Sequence, residues 1–470
     1  MSRENAIADV RQQLQSGAFL ADLNRRVAYR TESQNAERSE ALRAYLEDEL
    51  KPCFTELDFT TRLIESGSGK APFLLAEYRE DPTASTVLLY GHGDVVDGME
   101  GEWREGLDPW RTTQVGDRVY GRGTADNKGQ HSINLAALRA VRNARGGRLG
   151  FNAKFVVEMG EEIGSPDLGR VCASLRADLK ADLLLASDGP RLSAARPTIF
   201  LGCRGGIRIH LEVNLREGGH HSGNWGGVLA NPATILVNAI ATLVDGHGRL
   251  LLDQFKPPRL SNRIRALLAD VKVEPGADEP ALSEDWGDDG LTAAERLYAW
   301  NTLEVLAISS GNADKPANAI PGRARAVLQL RFVVGTRIDG LIDAIRSHLD
   351  QSGFPMVEVK ATQSFVASRT DFESSWIKWT ADSIRKTTGS PPAVLPNFGG
   401  SLPNEVFSVM LGLPTIWVPH SYPGCSQHAP DEHILLSVTE EALGIMAGLF
   451  WDLGEMPRPL TAGAPSSRDG

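Results

Sequence analysis

Apolar residues recur at every third or fourth position around Ile7 to Arg26 and again around Asn35 to Leu50, which predicts two helices at the start of the chain. The pattern then tightens into β-rich runs, "FTELDFTTRLIE", "PFLLAEYRE" and "TVLLYGHGDVV", which read as extended segments. Helical spacing returns in "NKGQHSINLAALRAVRNA" and near Leu168 to Leu179, with strands expected at "FNAKFVVEMGEE", "ADLLLASDG" and "PTIFLG". Strands alternating with helices predict a doubly wound, mostly parallel sheet.

After Gly205 the period changes. "GIRIHLEVNL" alternates apolar and polar residues, as a strand with one solvated face does. A helix from Pro232 to Val244, strands at "LEVLAIS" and "RARAVLQLRFVV", a helix from Ile338 to Leu349 and the strand "MVEVKAT" follow. That order is β-α-β-β-α-β, a small ferredoxin-like α+β sandwich. The acidic stretch "DVKVEPGADEPALSEDWGDDG" reads as a surface excursion within it. From Phe372 the α/β character resumes, with "PTIWV" as a further strand. The expected architecture is an α/β domain of residues 1–204 and 366–470, interrupted by an inserted α+β domain of residues 205–365.

Composition sharpens this only in places. A length of 470 residues exceeds what one core usually supports, in keeping with two domains. A net charge of -11 argues against nucleic acid or an anionic membrane as the main partner. The opening "MSRENAIADVRQQLQSG" lacks the apolar core of a signal peptide, and no apolar run approaches a membrane span. Cys53, Cys172, Cys203 and Cys425 are scattered, with no C-x-x-C pair, so a reducing cytoplasm is the expected compartment. The Pro/Gly/Ser-rich tail is expected to be disordered from about Pro457.

Candidate chemistry lies at the ends of the expected strands, where open α/β sheets gather functional groups. His92 and Asp94 follow "TVLLY", Glu161 and Glu162 follow "FNAKFVVEMG", and Asp188 follows "ADLLLAS". "GRGTADNKG" places Asp126 just before a helix, and the loop after "PTIWV" carries His428 and His433. Singly, each has an ordinary reading: Asp126 as a helix N-cap, Asp188 as a turn residue before Gly189 and Pro190. Together, so many carboxylates on one edge would repel unless cations compensate. Two histidines and three carboxylates suit two borderline divalent ions, zinc first, with cobalt or manganese as alternatives. Other motifs fail: "ESGSGK" lacks phosphate-loop spacing, "GRGTADNKG" has Asp126 where a dinucleotide fingerprint needs glycine, and neither G-x-S-x-G nor H-E-x-x-H occurs.

"YGHGDVVDG", "GRGTADNKG", "EMGEEIGS", "LLASDGP" and "QHAPDEH" stand in the order of the co-catalytic zinc exopeptidases and deacylases, and the chain resembles that family over nearly its whole length. The family includes glutamate carboxypeptidase, aminoacylase, carnosinase-type dipeptidases, and acetylornithine and succinyl-diaminopimelate deacylases. The resemblance implies that Asp126 bridges two metals, with His92 and Asp188 completing one site and Glu162 and His428 the other. It implies Glu161 as general base, Asp94 as the carboxylate orienting His92, and a cis peptide after Asp126. The glycines around His92 would let the backbone approach the metal. His433 competes with His428, and Glu161 and Glu162 could exchange roles; the family order favours the assignments given.

The same resemblance makes the inserted domain a lid and dimerisation domain. "GGHHSGNWGG" is similar to the segment that delivers a histidine to a partner's site, here His221 with His220 as bystander. Asn318, Arg331, Gly399, Gly400 and Ser401 take substrate-facing roles by the same likeness, with Arg331 suited to a carboxylate. The implied activity is hydrolysis of an amide or peptide bond next to a free carboxylate, in a dipeptidase, carboxypeptidase or N-acyl-amino-acid deacylase. A ureido or carbamoyl amino-acid amidohydrolase is the alternative. The implied partners are a small peptide or N-acyl amino acid and a second copy of the chain.

Overall fold

Both faces of a large sheet are covered, and the alternation along its strands shows why. A computed structural model describes residues 2–67, 69, 71–275 and 280–456; Lys70 and the tail from Pro457 lie outside these. The strands of the large sheet are β1 (Thr60–Ile64), β2 (Phe73–Tyr78), β3 (Thr86–His92), β4 (Asn152–Glu158), β5 (Leu183–Ala186) and β6 (Thr198–Phe200), followed late in the chain by β11 (Ala393–Leu395) and β12 (Thr415–Trp417). They run in the order β1-β2-β4-β3-β5-β12-β6-β11, and four of the seven neighbouring pairs are parallel. In β3, Val87 and Leu89 join one core cluster while Leu88 and Tyr90 join another. A strand apolar on both sides belongs between two layers, which is the doubly wound arrangement.

One layer contains α1 (Arg3–Gln15), α2 (Ala18–Ala28), α3 (Lys128–Ala144) and, further along, α6 (Ser375–Thr388) and α7 (Leu436–Gly454). The expected single helix over Ile7 to Arg26 is broken at Gly17, whose φ of 80° is cheap only for glycine. Likewise Phe54 to Glu56, expected to be extended, is helical, with strand only from Thr60. Leu46, Leu50 and Phe54 are buried at helical spacing and set that choice.

A second sheet comprises β7 (Gly205–Asn214), β8 (Thr302–Ser309), β9 (Arg323–Phe332) and β10 (Val357–Phe365), all antiparallel in the order β8-β9-β7-β10. Helices α4 (Pro232–Ala241) and α5 (Leu341–Gln351) share its separate core with Ile209, Leu211, Leu328 and Val359. Not all of residues 205–365 pack there. Short helices Asn262–Leu268 and Ala293–Ala299 bury Ile264, Leu268, Ala294 and Tyr298 in the large sheet's second cluster, beside Leu395 and Phe407. The acidic stretch therefore emerges from segments anchored on the α/β part. Among the described residues no helix is long and apolar enough to cross a membrane.

The parallel strands β4, β3, β5 and β12 all point their carboxyl ends to one edge, so His92, Glu161, Asp188 and the loop after Trp417 converge there. Asp126 arrives from the turn before α3, held against that helix by Gly129. A Cβ on Gly129 would lie 1.9 Å from the backbone oxygen of Thr124. Gly129→Ala should lower the unfolding free energy by about 1–3 kcal/mol through overpacking. Thermal unfolding at the wild-type midpoint would show that this turn yields freely.

Candidate metal centre

The chain reaches Asp126 through a turn gripped from below by Glu432. Glu432 Oε1 accepts the backbone N–H groups of Gly123 (3.0 Å), Ala125 (2.9 Å) and Asp126 (3.1 Å), and Oε2 accepts from Arg122 Nη1 at 2.8 Å. The peptide between Asp126 and Asn127 is cis. Asn127 Nδ2 donates to Ser187 O at 2.9 Å, tying this turn to the end of β5 next to Asp188.

Asp126 then faces two ways. His92 Nε2 lies 3.0 Å from Asp126 Oδ1 and 3.7 Å from Asp188 Oδ2. His428 Nε2 lies 2.8 Å from Asp126 Oδ2 and 3.1 Å from Glu162 Oε2. These are two triads sharing one carboxylate, and in each the potential ligand atoms lie within 4.8 Å of one another. His428 holds a left-handed φ of 61°, uncommon outside glycine. His433 lies elsewhere, 2.6 Å from the Tyr422 hydroxyl and 2.9 Å from Asp431 O.

Glu161 and Glu162 sit on the short turn Glu161–Ile163 just past β4. Asp94 holds that turn with both oxygens: Oδ1 accepts Glu161 N and Oδ2 accepts Glu162 N, each at 3.1 Å. His92 Nδ1 is 3.1 Å from Asp94 O and 3.4 Å from its Oδ1. Asp94 thus couples the histidine to the glutamate turn. Glu162 belongs to a triad and Glu161 to neither. The fencing glycines serve packing rather than access: a Cβ on Gly91 would meet His131 at 2.9 Å, and on Gly93 the Tyr45 ring at 2.4 Å.

The electrostatics follow from burial. Burial, then Asp126, pushes Asp188 up to about 6 and Glu162 up to about 7. Burial also drives Glu161 well above the usual carboxylate range, reinforced by Asp188, Glu162 and Asp126. Burial opposes ionisation of Asp126 too, but hydrogen bonds from His428 and His92 hold its carboxyl low. The Asp126 and Glu162 carboxylates in turn raise His428 to about 11. Glu162 Oε1 is buried without a hydrogen-bond partner. Mixed imidazole and carboxylate donors, an orphaned ligand oxygen and concentrated negative charge fit two divalent cations. A third acidic group, Glu32, Asp97 and Glu100, is answered instead by Arg38 and Arg30.

Of the residues expected to face substrate, Arg331 and Ser401 come together, with Arg331 Nη1 donating to Ser401 Oγ at 3.3 Å. The loop carrying Gly399, Gly400 and Ser401 begins at Phe398, whose ring lies 3.3 Å from the Cβ position of Gly189, the residue after Asp188. His221 is exposed on a two-stranded ribbon with Ala319–Ile320, and the exposed Asn318 just before it accepts Ser222 N on its backbone oxygen at 2.8 Å. Among the described residues no hydrogen bond joins them to the Asp126 cluster. Three contributors escaped the sequence reading: Glu432, Gln427, whose amide donates to Asp126 Oδ2, and Arg204, which grips Gly399 O. Glu432 lies inside "QHAPDEH", so its motif was visible although its role was not.

The profile of Peptidase family M20/M25/M40 matches residues 88–452. The chain is 27% identical over 405 residues to the human Beta-Ala-His dipeptidase, covering 82% of this chain and 78% of that protein. It is 32% identical over 387 residues to the Cys-Gly metallodipeptidase DUG1 of Candida albicans, covering 78% of each. The crystal structure of the M20 family metallo-carboxypeptidase Sso-CP2 from Sulfolobus solfataricus matches with a TM-score of 0.78 at 26% identity, over 93% of this chain and 99% of that one. Human carnosine dipeptidase 1 shares the fold with a TM-score of 0.78 at 22% identity, over 97% and 99% of the two chains. A family match spanning most of the chain, with relatives named as metallodipeptidases, makes this protein a hydrolase of peptidase family M20/M25/M40.

Proposed function

We propose that the protein is a dinuclear-metal dipeptidase that cleaves the amide bond next to a free carboxylate. The observation that carries this reading is the sharing of Asp126 between two ligand triads, with Glu161 beside both and part of neither. Two divalent cations, zinc first and cobalt or manganese in its place, would be held by His92, Asp126 and Asp188 and by Asp126, Glu162 and His428, and would supply Lewis-acid polarisation of the carbonyl and of water. Relatives named for Beta-Ala-His and Cys-Gly support a dipeptide over an N-acyl, ureido or carbamoyl substrate.

The chain's own groups do the rest. Glu161 takes the proton of the attacking water on its carboxylate and passes it to the leaving nitrogen. Its raised affinity for a proton, from burial and neighbouring carboxylates, suits a group that must hold one in mid-reaction. Asp94 keeps His92 and the glutamate turn in mutual register. Arg331, with Ser401 and the backbone of Gly399 and Gly400, clamps the substrate carboxylate.

The second sheet with α4 and α5, within the inserted residues 205–365, acts as a lid on the catalytic part formed by 1–204 and 366–470, and the functional unit is a homodimer. Edge strand β8 leaves Val305, Leu306 and Ile308 about half exposed, an apolar edge that a second copy would cover. His221, exposed on its ribbon beside Asn318, then serves the partner's site as an oxyanion donor.

Glu161→Gln should retain two metal ions per chain while turnover falls by about 10²–10⁴-fold, whereas Glu162→Gln should lose metal. Elemental analysis with steady-state kinetics checks both, and near-normal turnover in metal-replete Glu161→Gln would refute the base. Inactive His221→Ala and inactive Glu161→Gln chains, co-refolded, should recover about a quarter of wild-type turnover, because half the dimers are mixed and each mixed dimer restores one site. Persistent inactivity with mixed dimers demonstrably present would place His221 in its own chain's site or outside catalysis.

A further inference from the structure

Strand β7 opens with two glycines, and only one of them has a packing reason. A Cβ on Gly205 would fall 2.3 Å from the Phe332 ring and 2.6 Å from Phe365 O, so nothing larger fits. A Cβ on Gly206 would meet nothing nearer than Gln329 Nε2 at 3.6 Å and Ser401 Oγ at 3.8 Å, ordinary van der Waals separations. Gly206 is not among the residues with positive φ. Neither backbone nor packing therefore demands glycine at this position. What glycine provides there is space.

The space has a chemical character. Gly206 pairs in register with Arg331 on β9, so Gly206, Arg331 and Gln329 lie on one face of the sheet. Ser401 bridges this face to Arg204: its hydroxyl receives Arg331 Nη1 at 3.3 Å and donates to Arg204 O at 3.4 Å. Arg204 Nε donates to Gly399 O at 2.8 Å, and its Nη1 is buried without a partner. Burial, then the nearby Arg331, brings the Arg204 guanidinium down to about 10. Among the described residues neither guanidinium has a carboxylate oxygen within 4.0 Å; the exposed Glu304, in register with Gln329, acts on both from further away.

We propose that the space over Gly206 receives the side chain of the substrate residue on the carboxyl side of the scissile bond, and selects a neutral hydrogen-bond acceptor there over an aliphatic group. This rests on Arg331 holding the substrate carboxylate, as proposed above. The Gln329 amide and the Arg331 guanidinium beside the space offer donors, while the Ser401 hydroxyl already spends its own on Arg204 O. Two guanidinium charges are matched by Glu304 and the substrate's own carboxylate, so a second anionic group has nothing left to neutralise. A carboxamide or imidazole satisfies the donors without adding charge. An aliphatic side chain would leave them unpaired, the situation that site-built polar recognition rejects most strongly.

The test compares kcat/KM of the metal-loaded protein on Ala-Gln, Ala-Leu and Ala-Gly. Ala-Gln should exceed Ala-Leu by about tenfold or more, and Gln329→Leu should bring that ratio to within about threefold of one. Gly206→Val should cost Ala-Gln about tenfold more than it costs Ala-Gly, because only the larger residue needs the space. Thermal unfolding reports whether each variant is folded, and if Gly206→Val is not, the Gln329→Leu ratio decides alone. Cleavage of Ala-Gln and Ala-Leu at similar rates, or a preference that survives Gln329→Leu, overturns the subsite and leaves the dipeptidase reading standing. Failure to cleave any of the three overturns both.

Discussion

Negative charge crowded onto one sheet edge is the constraint to which the rest of this structure answers. Asp126, Asp188, Glu161 and Glu162 meet where β3, β4 and β5 end, the two aspartates buried and the two glutamates partly so. Two like charges about 4 Å apart cost roughly 4 kcal/mol at an effective dielectric of about 20, so such a cluster is tenable only with positive partners. His92 and His428 are drawn toward their protonated forms by the same carboxylates, and any divalent cation held there competes with those protons. Metal affinity at this site is therefore coupled to pH, weakening as acid protonates the ligands.

Holding the cluster together requires backbone as much as side chains. Glu432 gathers three N–H groups of the Asp126 turn, while Asp94 gathers two of the glutamate turn. Each carboxylate caps a loop that would otherwise be free to relax away from its like-charged neighbours. Behind them, α3 starts at Lys128 directly after the cis peptide, and Gly129 lets it sit against Thr124. At the proposed substrate end a hydroxyl does the tying, Ser401 joining Arg331 of the second sheet to the backbone of Arg204.

The α/β class and the large, mostly parallel sheet were legible because their signal is local. An apolar run ending in a polar residue marks a buried strand and its functional end at once, as in "TVLLYGH" and "ADLLLASD". What stayed hidden acts across the fold. His428 is separated from His433 only by contacts with Asp126 and Glu162, more than 260 residues away in sequence. The glycines around His92 were read as room for a metal, but the neighbours they spare are Tyr45 and His131, which no period reveals. Arg204 carried no motif, and its significance lies in a buried nitrogen that has no hydrogen-bond partner among the described residues. The short helices flanking the acidic stretch likewise followed tertiary packing over local pattern.

The central claim is that one carboxylate, Asp126, serves two cations. Anomalous-difference maps from crystals of the zinc-loaded protein, recorded at the zinc edge, test it most directly. The account predicts two peaks, each about 2 Å from an oxygen of Asp126, one also beside His92 and Asp188 and the other beside Glu162 and His428. A single peak, or a second one that Asp126 does not reach, would contradict it.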